Sequence, residues 1–287
     1  MSAPQIQWYP GHIAKAERQL QEQLKRVDVV LEVRDARIPL ATDHPRLKSW
    51  LGSRERLLIL NRLDMIPAPA RQAWIDWFRS QGDRVLLTDA HAGTGVAQLS
   101  QAAQAAGAAM NARRKQRGML PRAVRAVVIG FPNVGKSALI NRLVKKKVVE
   151  SARRAGVTRS LRWVRVSEHL DLLDAPGVLP SRLDDQTAAL KLALCDDIGE
   201  AAYDNQRVAA ALVDCLQALE AQPLSGVTPT LFFDRYGLSV DDTGEAYLAA
   251  LADHRCQGDR ERTALMLLND FRRGSLGPIA LELPPTA

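Results

Sequence analysis

Gly130-Phe131-Pro132-Asn133-Val134-Gly135-Lys136-Ser137 follows directly on the apolar run Ala126-Val127-Val128-Ile129 and opens a helix-compatible stretch. A Gly-x-x-x-x-Gly-Lys-Ser run in that setting is a phosphate-binding loop between a strand and a helix. Its glycines let backbone amides cradle a β-phosphate, Lys136 neutralises β- and γ-phosphate oxygens, and Ser137 offers a hydroxyl to magnesium. Asn133, Val134, Gly135, Lys136, Ser137 and Ala138 are the expected contacts to the nucleotide. Lys136 is expected to face solvent while the site is empty. A loop of this kind belongs at the carboxyl edge of a parallel sheet, where strands hand over to helices.

The same edge is called for much earlier in the chain. Leu57-Leu58-Ile59-Leu60 has the composition of a buried strand and ends on Asn61-Arg62-Leu63-Asp64. In an Asn-x-x-Asp loop the Asp64 carboxylate can accept from N1–H and the exocyclic amine of guanine. Adenine presents no such pair of donors. Arg62 stands where lysine is usual; a planar guanidinium can pack along the base and brace the phosphate loop. Asp89-Ala90-His91, after the strand Arg84-Val85-Leu86-Leu87, lies where a second base-contacting loop is expected. GTPases usually have Ser-Ala-Lys there, so the Ala90 backbone amide is the expected contact to the guanine oxygen. In most small GTPases the phosphate loop comes first and the base reader follows. Here the order is reversed, as it would be if the old termini were joined and the chain reopened elsewhere. The pattern points to a circularly permuted GTPase.

Two further loops complete the expected site. Asp174-Ala175-Pro176-Gly177 follows the strand Leu170-Asp171-Leu172-Leu173, so Asp174 suits a carboxylate that acts on magnesium through water. The Gly177 amide would sense the γ-phosphate. Thr158, between the phosphate loop and Asp174, is the expected second magnesium ligand from a mobile loop. The metal set is Ser137, Thr158 and Asp174, with Mg2+ as cofactor.

Strand and helix patterns alternate through the first half, which argues for a doubly wound, mostly parallel α/β sheet. A helix fits residues 12–26, a strand 29–33, a helix 69–80 and a long Ala- and Gln-rich helix about 95–112. The basic stretch Arg113-Arg114-Lys115-Gln116-Arg117 is expected as a solvated connector. Residues 147–160 have no period, and strands fit 161–166 and 170–173. After Pro180 only helical patterns remain: Val208, Leu212, Cys215, Leu216 and Leu219 mark one stripe, and Ala264, Leu265, Leu268 and Phe271 another. Gly274 is a plausible stop. Residues 1–180 are read as the permuted GTPase domain and 181–287 as a small all-α domain.

Net charge is +7 over 287 residues. Residues 1–180 carry 30 Lys and Arg against 15 Asp and Glu (+15), while residues 181–287 carry 9 against 17 (−8). The basic half suits a polyanionic partner. Residues 142–168 hold nine basic and two acidic side chains, among them Arg153, Arg154, Arg159, Arg162 and Arg165. No run of about 18 apolar residues occurs, so no membrane span is expected. Cys195, Cys215 and Cys256 have no paired spacing and suit reduced thiols in a cytoplasmic protein.

Taken with the motif order, Trp8-Tyr9-Pro10-Gly11-His12-Ile13-Ala14-Lys15-Ala16 and Asp35-Ala36-Arg37-Ile38-Pro39 make the chain resemble the ribosome biogenesis GTPase A (YlqF) family over residues 8 to about 180. The resemblance implies a permuted GTPase domain, a helical carboxyl-terminal domain, and GTP hydrolysis coupled to maturation of the large ribosomal subunit. It also implies absence of the water-orienting glutamine, and Val178 at that place has no group to position water. His12 is the stand-in the resemblance suggests, which would join Lys136, Thr158 and Gly177 in catalysis. Potassium at Asn133 is a second cation the resemblance allows.

The expected partners are therefore GTP and GDP and a large-subunit precursor, with no membrane, and a monomer when free. The alternative is a GTP-dependent RNA- or protein-binding switch not tied to the ribosome. A small-molecule kinase using the same loop is disfavoured by Asn61 and Asp64, since an ATP enzyme has no use for a guanine reader.

Overall fold

The computed structural model describes residues 6, 20–52, 54–146, 162–175, 177, 184–199 and 202–285. His12, Thr158 and Val178 lie outside the described residues. The chain builds strands β1 (Val29–Asp35), β2 (Glu55–Asn61), β3 (Val85–Thr88), β4 (Val124–Ile129), β5 (Arg162–Ser167) and β6 (Leu170–Asp174). They form one sheet in the order β3-β2-β1-β4-β6-β5. All neighbours run parallel except β5 and β6. The strand that feeds the phosphate loop, β4, is thus internal. Every strand before it in sequence lies on one side and both that follow lie on the other. That is the expected permutation, seen as topology.

Register brings the strand ends together. Asp35 pairs with Asn61, Asn61 with Thr88, and Val128 with Asp174. The carboxyl ends of β1, β2, β3 and β6 are therefore level with the start of the Gly130 loop. β1 is buried along its whole length, as a central parallel strand covered on both faces must be. Alternate residues face opposite layers: Val29, Leu31 and Val33 one core, Val30 the other.

On one face lie residues 20–24, which are helical, α1 (Leu47–Leu51) and α2 (Ala68–Ser80). α2 stacks Trp74 and Phe78 on Leu58 and Leu60 of β2. On the other lie α3 (Val96–Ala106) and α5 (Lys136–Val144). The long helix expected over about 95–112 is two helices, because Gly107 separates α3 from α4 (Ala108–Gln116). A side chain at Gly107 would run into Val124 of β4, so the break falls where the chain passes close over the sheet. Most of the basic stretch expected as a connector is the last turn of α4.

Among the described residues the chain after 184 is helical, with α6 (Gln186–Leu194), α7 (Asn205–Leu219), α8 (Leu231–Tyr236), α9 (Gly244–Arg255) and α10 (Arg260–Arg272). α7 buries Val208, Leu212 and Leu216 as expected. On α10 the buried stripe contains Leu267, with Leu265 only half-buried. Gly274 takes φ 75°, the left-handed geometry that stops a helix.

The helices do not stand apart. One apolar cluster runs from Leu31 and Val128 of the sheet to Leu212, Leu251 and Phe271. The chain end returns to the sheet: Ile279 N donates to Met65 O (2.8 Å) and Glu282 N to Arg37 O (3.1 Å). The Glu282 carboxylate accepts from the Leu40 amide (2.7 Å) and pairs with Lys191 (3.0 Å).

Candidate nucleotide-binding site

Asn61 joins three loops at the sheet edge. Its amide donates to Val134 O (2.9 Å), and its Oδ1 accepts from Thr88 Oγ1 (3.0 Å) and from the Ala90 amide (3.2 Å). The base-reading loop is therefore fixed against both the phosphate loop and the loop after β3. Gly135, at φ 97°, lets this happen, since a Cβ there would collide with the Asn61 side chain.

Arg62 links the loop after β2 to the phosphate loop and to β1. Its guanidinium donates to Asn133 O (2.5 Å) and pairs with Asp35 (3.3 Å). Its backbone at φ 65° turns the chain into a short 3-10 helix, Leu63–Met65, which leaves Asp64 exposed. Asp89 is a turn former: its carboxylate accepts from the amides of His91 (2.7 Å) and Ala92 (3.0 Å). That accounts for aspartate where serine is usual, and it directs the Asp89 side chain into its own loop. His91 is exposed at the tip.

Lys136 departs from expectation. It is buried, 6% exposed, with Nζ donating to Gly130 O (3.1 Å) and Phe131 O (2.6 Å). The loop curls around its own lysine and supplies it with two carbonyl acceptors. Burial pushes the Lys136 ammonium down to about 8, against the pull of the Asp174 and Asp197 carboxylates. Asp174 is buried at the end of β6, and burial raises its carboxyl to about 6 although Lys136 opposes the shift. Asp174 Oδ1 has no hydrogen-bond partner among the described residues. Gly177 lies against the loop; a Cβ on it would come within 2.8 Å of the Pro132 backbone. Ser137 and Ala138 begin α5, half-buried.

Asp197, in the turn after α6, was not among the residues singled out from sequence. It is fully buried and neither carboxylate oxygen has a hydrogen-bond partner among the described residues. Burial, and then the Asp35 carboxylate, push it well above the usual carboxylate range against Arg62 and Arg37. The same turn reaches the phosphate loop directly, for Asn133 donates to Asp196 O (2.6 Å). An acidic pair between apolar residues, Leu194-Cys195-Asp196-Asp197-Ile198, was the available signal.

The Asp35-Ala36-Arg37 segment links this turn to β1. Arg37 meets Asp35 through two guanidinium nitrogens (3.0 and 2.7 Å) and donates to Cys195 O (3.1 Å). Burial alone would raise the Asp35 carboxyl, but Arg37 and Arg62 hold it below its ordinary value. Arg142, counted among the nine basic side chains of residues 142–168, donates to Ala92 O (2.5 Å) and supports the loop after β3.

The arrangement offers a loop that can exchange its own carbonyls for phosphates, an exposed aspartate beside it, and a buried carboxylate with an unused oxygen. Residues 125–225 match the family described as 50S ribosome-binding GTPase. Ribosome biogenesis GTPase A of Bacillus cereus is 35% identical over 286 residues, covering 97% of this chain and 94% of that protein. The protein of the same name from Priestia megaterium is 35% identical over 290 residues, covering 98% of each. GNP-bound YlqF from Thermotoga maritima, 23% identical, superposes with a TM-score of 0.65 over 95% of this chain and 100% of that one, a likeness of fold. Identity at that level along nearly the whole length places the family beyond the GTPase motifs alone: the chain belongs to the ribosome biogenesis GTPase A family of circularly permuted GTPases.

Proposed function

We propose that this GTPase binds GTP at the carboxyl edge of the sheet and hydrolyses it to GDP and phosphate during maturation of the large ribosomal subunit. It works in the cytoplasm, as a monomer when free. The observation that carries the reading is Asn61, which holds the phosphate loop and both base-side loops in one cluster. Nucleotide specificity then falls to Asp64, exposed beside that cluster, with Ala90 N as the amide for the guanine oxygen.

Magnesium fits the residues present. Among the described residues no cluster of three His, Cys, Asp or Glu would hold a metal unaided, so most ligands must come from nucleotide and water. Ser137 would hold the ion directly, Asp174 through water at its unused Oδ1, and Thr158 once the γ-phosphate is bound. Magnesium supplies charge neutralisation at the phosphates. Asn133, bonded through its nitrogen to Asp196 O, has a side-chain oxygen for potassium.

On binding, Lys136 leaves Gly130 O and Phe131 O for the β- and γ-phosphates. Gly177, already packed on the loop, reports the γ-phosphate through its amide. Val178 offers no hydrogen bond to the attacking water, so turnover by the free protein is slow, and His12 or a ribosomal group completes the site on docking. The basic residues of 142–168 make the contacts to ribosomal RNA phosphates.

Titration with GTP, GDP and ATP tests the base assignment. GTP and GDP should bind far more tightly than ATP, and Lys136→Ala should lose tight binding of both while remaining folded. Equal affinity for ATP and GTP would remove the guanine reading.

A further inference from the structure

The sheet ends on β5, and the pleat puts Val164 in the core and Trp163 and Arg165 on the opposite face. Trp163 leaves 39% of its surface in solvent, whereas Trp74 is fully buried and Trp50 and Trp77 are half-buried. The Arg125 guanidinium carbon stands 5.8 Å from the Trp163 ring centroid. Arg125 and Arg165 both pair in register with Asp171, so they flank it on one face. The Arg165 ion pair to Asp171 (2.8 Å) is weak because Arg165 is 66% exposed, and a phosphate could take the guanidinium over. Asp171 sits between the two arginines, and Asp28, which accepts from the Arg125 amide, is already paired with Arg122.

We infer that Trp163, with Arg125 and Arg165 beside it, is a stacking platform for an unpaired base of ribosomal RNA. This rests on the ribosomal reading above and assigns it a site on the rigid sheet. An exposed indole on a strand offers a π-face that any splayed base can use, while the flanking guanidiniums meet its phosphates. A duplex would present only phosphates here and leave the indole unused. A protein partner has less reason to meet two arginines (Arg125 and Arg165) beside one exposed tryptophan.

The test measures binding of wild type, Trp163→Ala, Trp163→Phe and Arg125→Ala to purified large ribosomal subunits and to deproteinised large-subunit RNA. GTP turnover of the free proteins is followed alongside. Trp163→Ala should weaken binding to both about tenfold, the usual loss for one stacked base, and Trp163→Phe should keep most of the affinity. The slope of log Kd against log salt should stay the same in Trp163→Ala, which removes no phosphate contact, and fall by about 0.7 in Arg125→Ala. Free turnover should not change. The platform is overturned if Trp163→Ala binds like wild type, or if Trp163→Phe is as weak as Trp163→Ala. Weakening toward subunits but not toward bare RNA would also overturn it, in favour of a protein contact. Wild type failing to bind either ligand would bring down the ribosomal reading along with the platform.

Discussion

Asp64, in the short helix after β2, and Asp174, at the end of β6, lie beyond the same sheet edge in different surroundings. Asp64 is exposed, and on the proposed reading it selects the base, so Asp64→Asn should shift preference from guanine to xanthine nucleotides, because an amide can donate to the xanthine oxygen. Competition between GTP and XTP checks this, and unchanged preference would remove Asp64 from the base site. Asp174 is buried with its carboxyl raised to about 6 from an ordinary 3.8. A raised carboxyl contributes stability that is full below about pH 4 and lost as pH rises through about 6. Asp174→Asn should therefore stabilise the nucleotide-free protein at pH 7 by about 1–3 kcal/mol. The gain should vanish near pH 4, while magnesium-dependent GTP binding falls. Urea titrations at the two pH values decide it; a variant less stable than wild type at pH 7 would contradict the assignment. The places of both aspartates were legible from their spacing to the strands. The inward fold of Lys136 was not, because it depends on carbonyls that turn toward the lysine only in the folded loop.

At the scale of elements, β1 and the turn after α6 are joined by one buried arginine. Arg37→Met should cost about 3–5 kcal/mol, since it leaves the Asp35 charge buried with only Arg62 opposite. Asp35→Asn with Arg37→Met should cost less than Arg37→Met alone, because the fully buried Asp35 charge goes with its partner and Arg62, which also loses Asp35, is partly exposed. Denaturant midpoints of the two variants check the order; a double variant weaker than the single would show the pair is not the cause. Strand positions were readable because Val29-Val30-Leu31 and Ala126-Val127-Val128-Ile129 are short runs of apolar, mostly β-branched residues inside β1 and β4. What escaped were elements whose reason is tertiary. The five-residue α1 is too short to show a period, and the Gly107 break exists because Val124 passes beneath it. The returning tail from Ile279 to Glu282 has no regular pattern; its bonds go to Met65, Arg37 and Leu40, far away in sequence.

Over the whole molecule, residues 1–180 are basic and residues 181–287 acidic in sequence, and described residues of both parts share one core. Such a body approaches a polyanion in a fixed orientation, with its nucleotide edge and its basic segment on the same part of the chain. The free protein has Val178 where a water-positioning side chain would serve, so its hydrolysis should be slow. His12→Ala should lower turnover on the ribosome while sparing GTP affinity, because a contact made only in the transition state changes rate and not ground-state binding. Equal loss of rate and affinity would instead make His12 a structural or binding residue. The most direct measurement is GTP turnover with and without purified large ribosomal subunits at salt from about 50 to 300 mM, a range spanning strong to weak phosphate binding. The account predicts slow turnover alone, strong stimulation at low salt and steep loss of that stimulation as salt rises. No stimulation at any salt, or stimulation indifferent to salt, would contradict it.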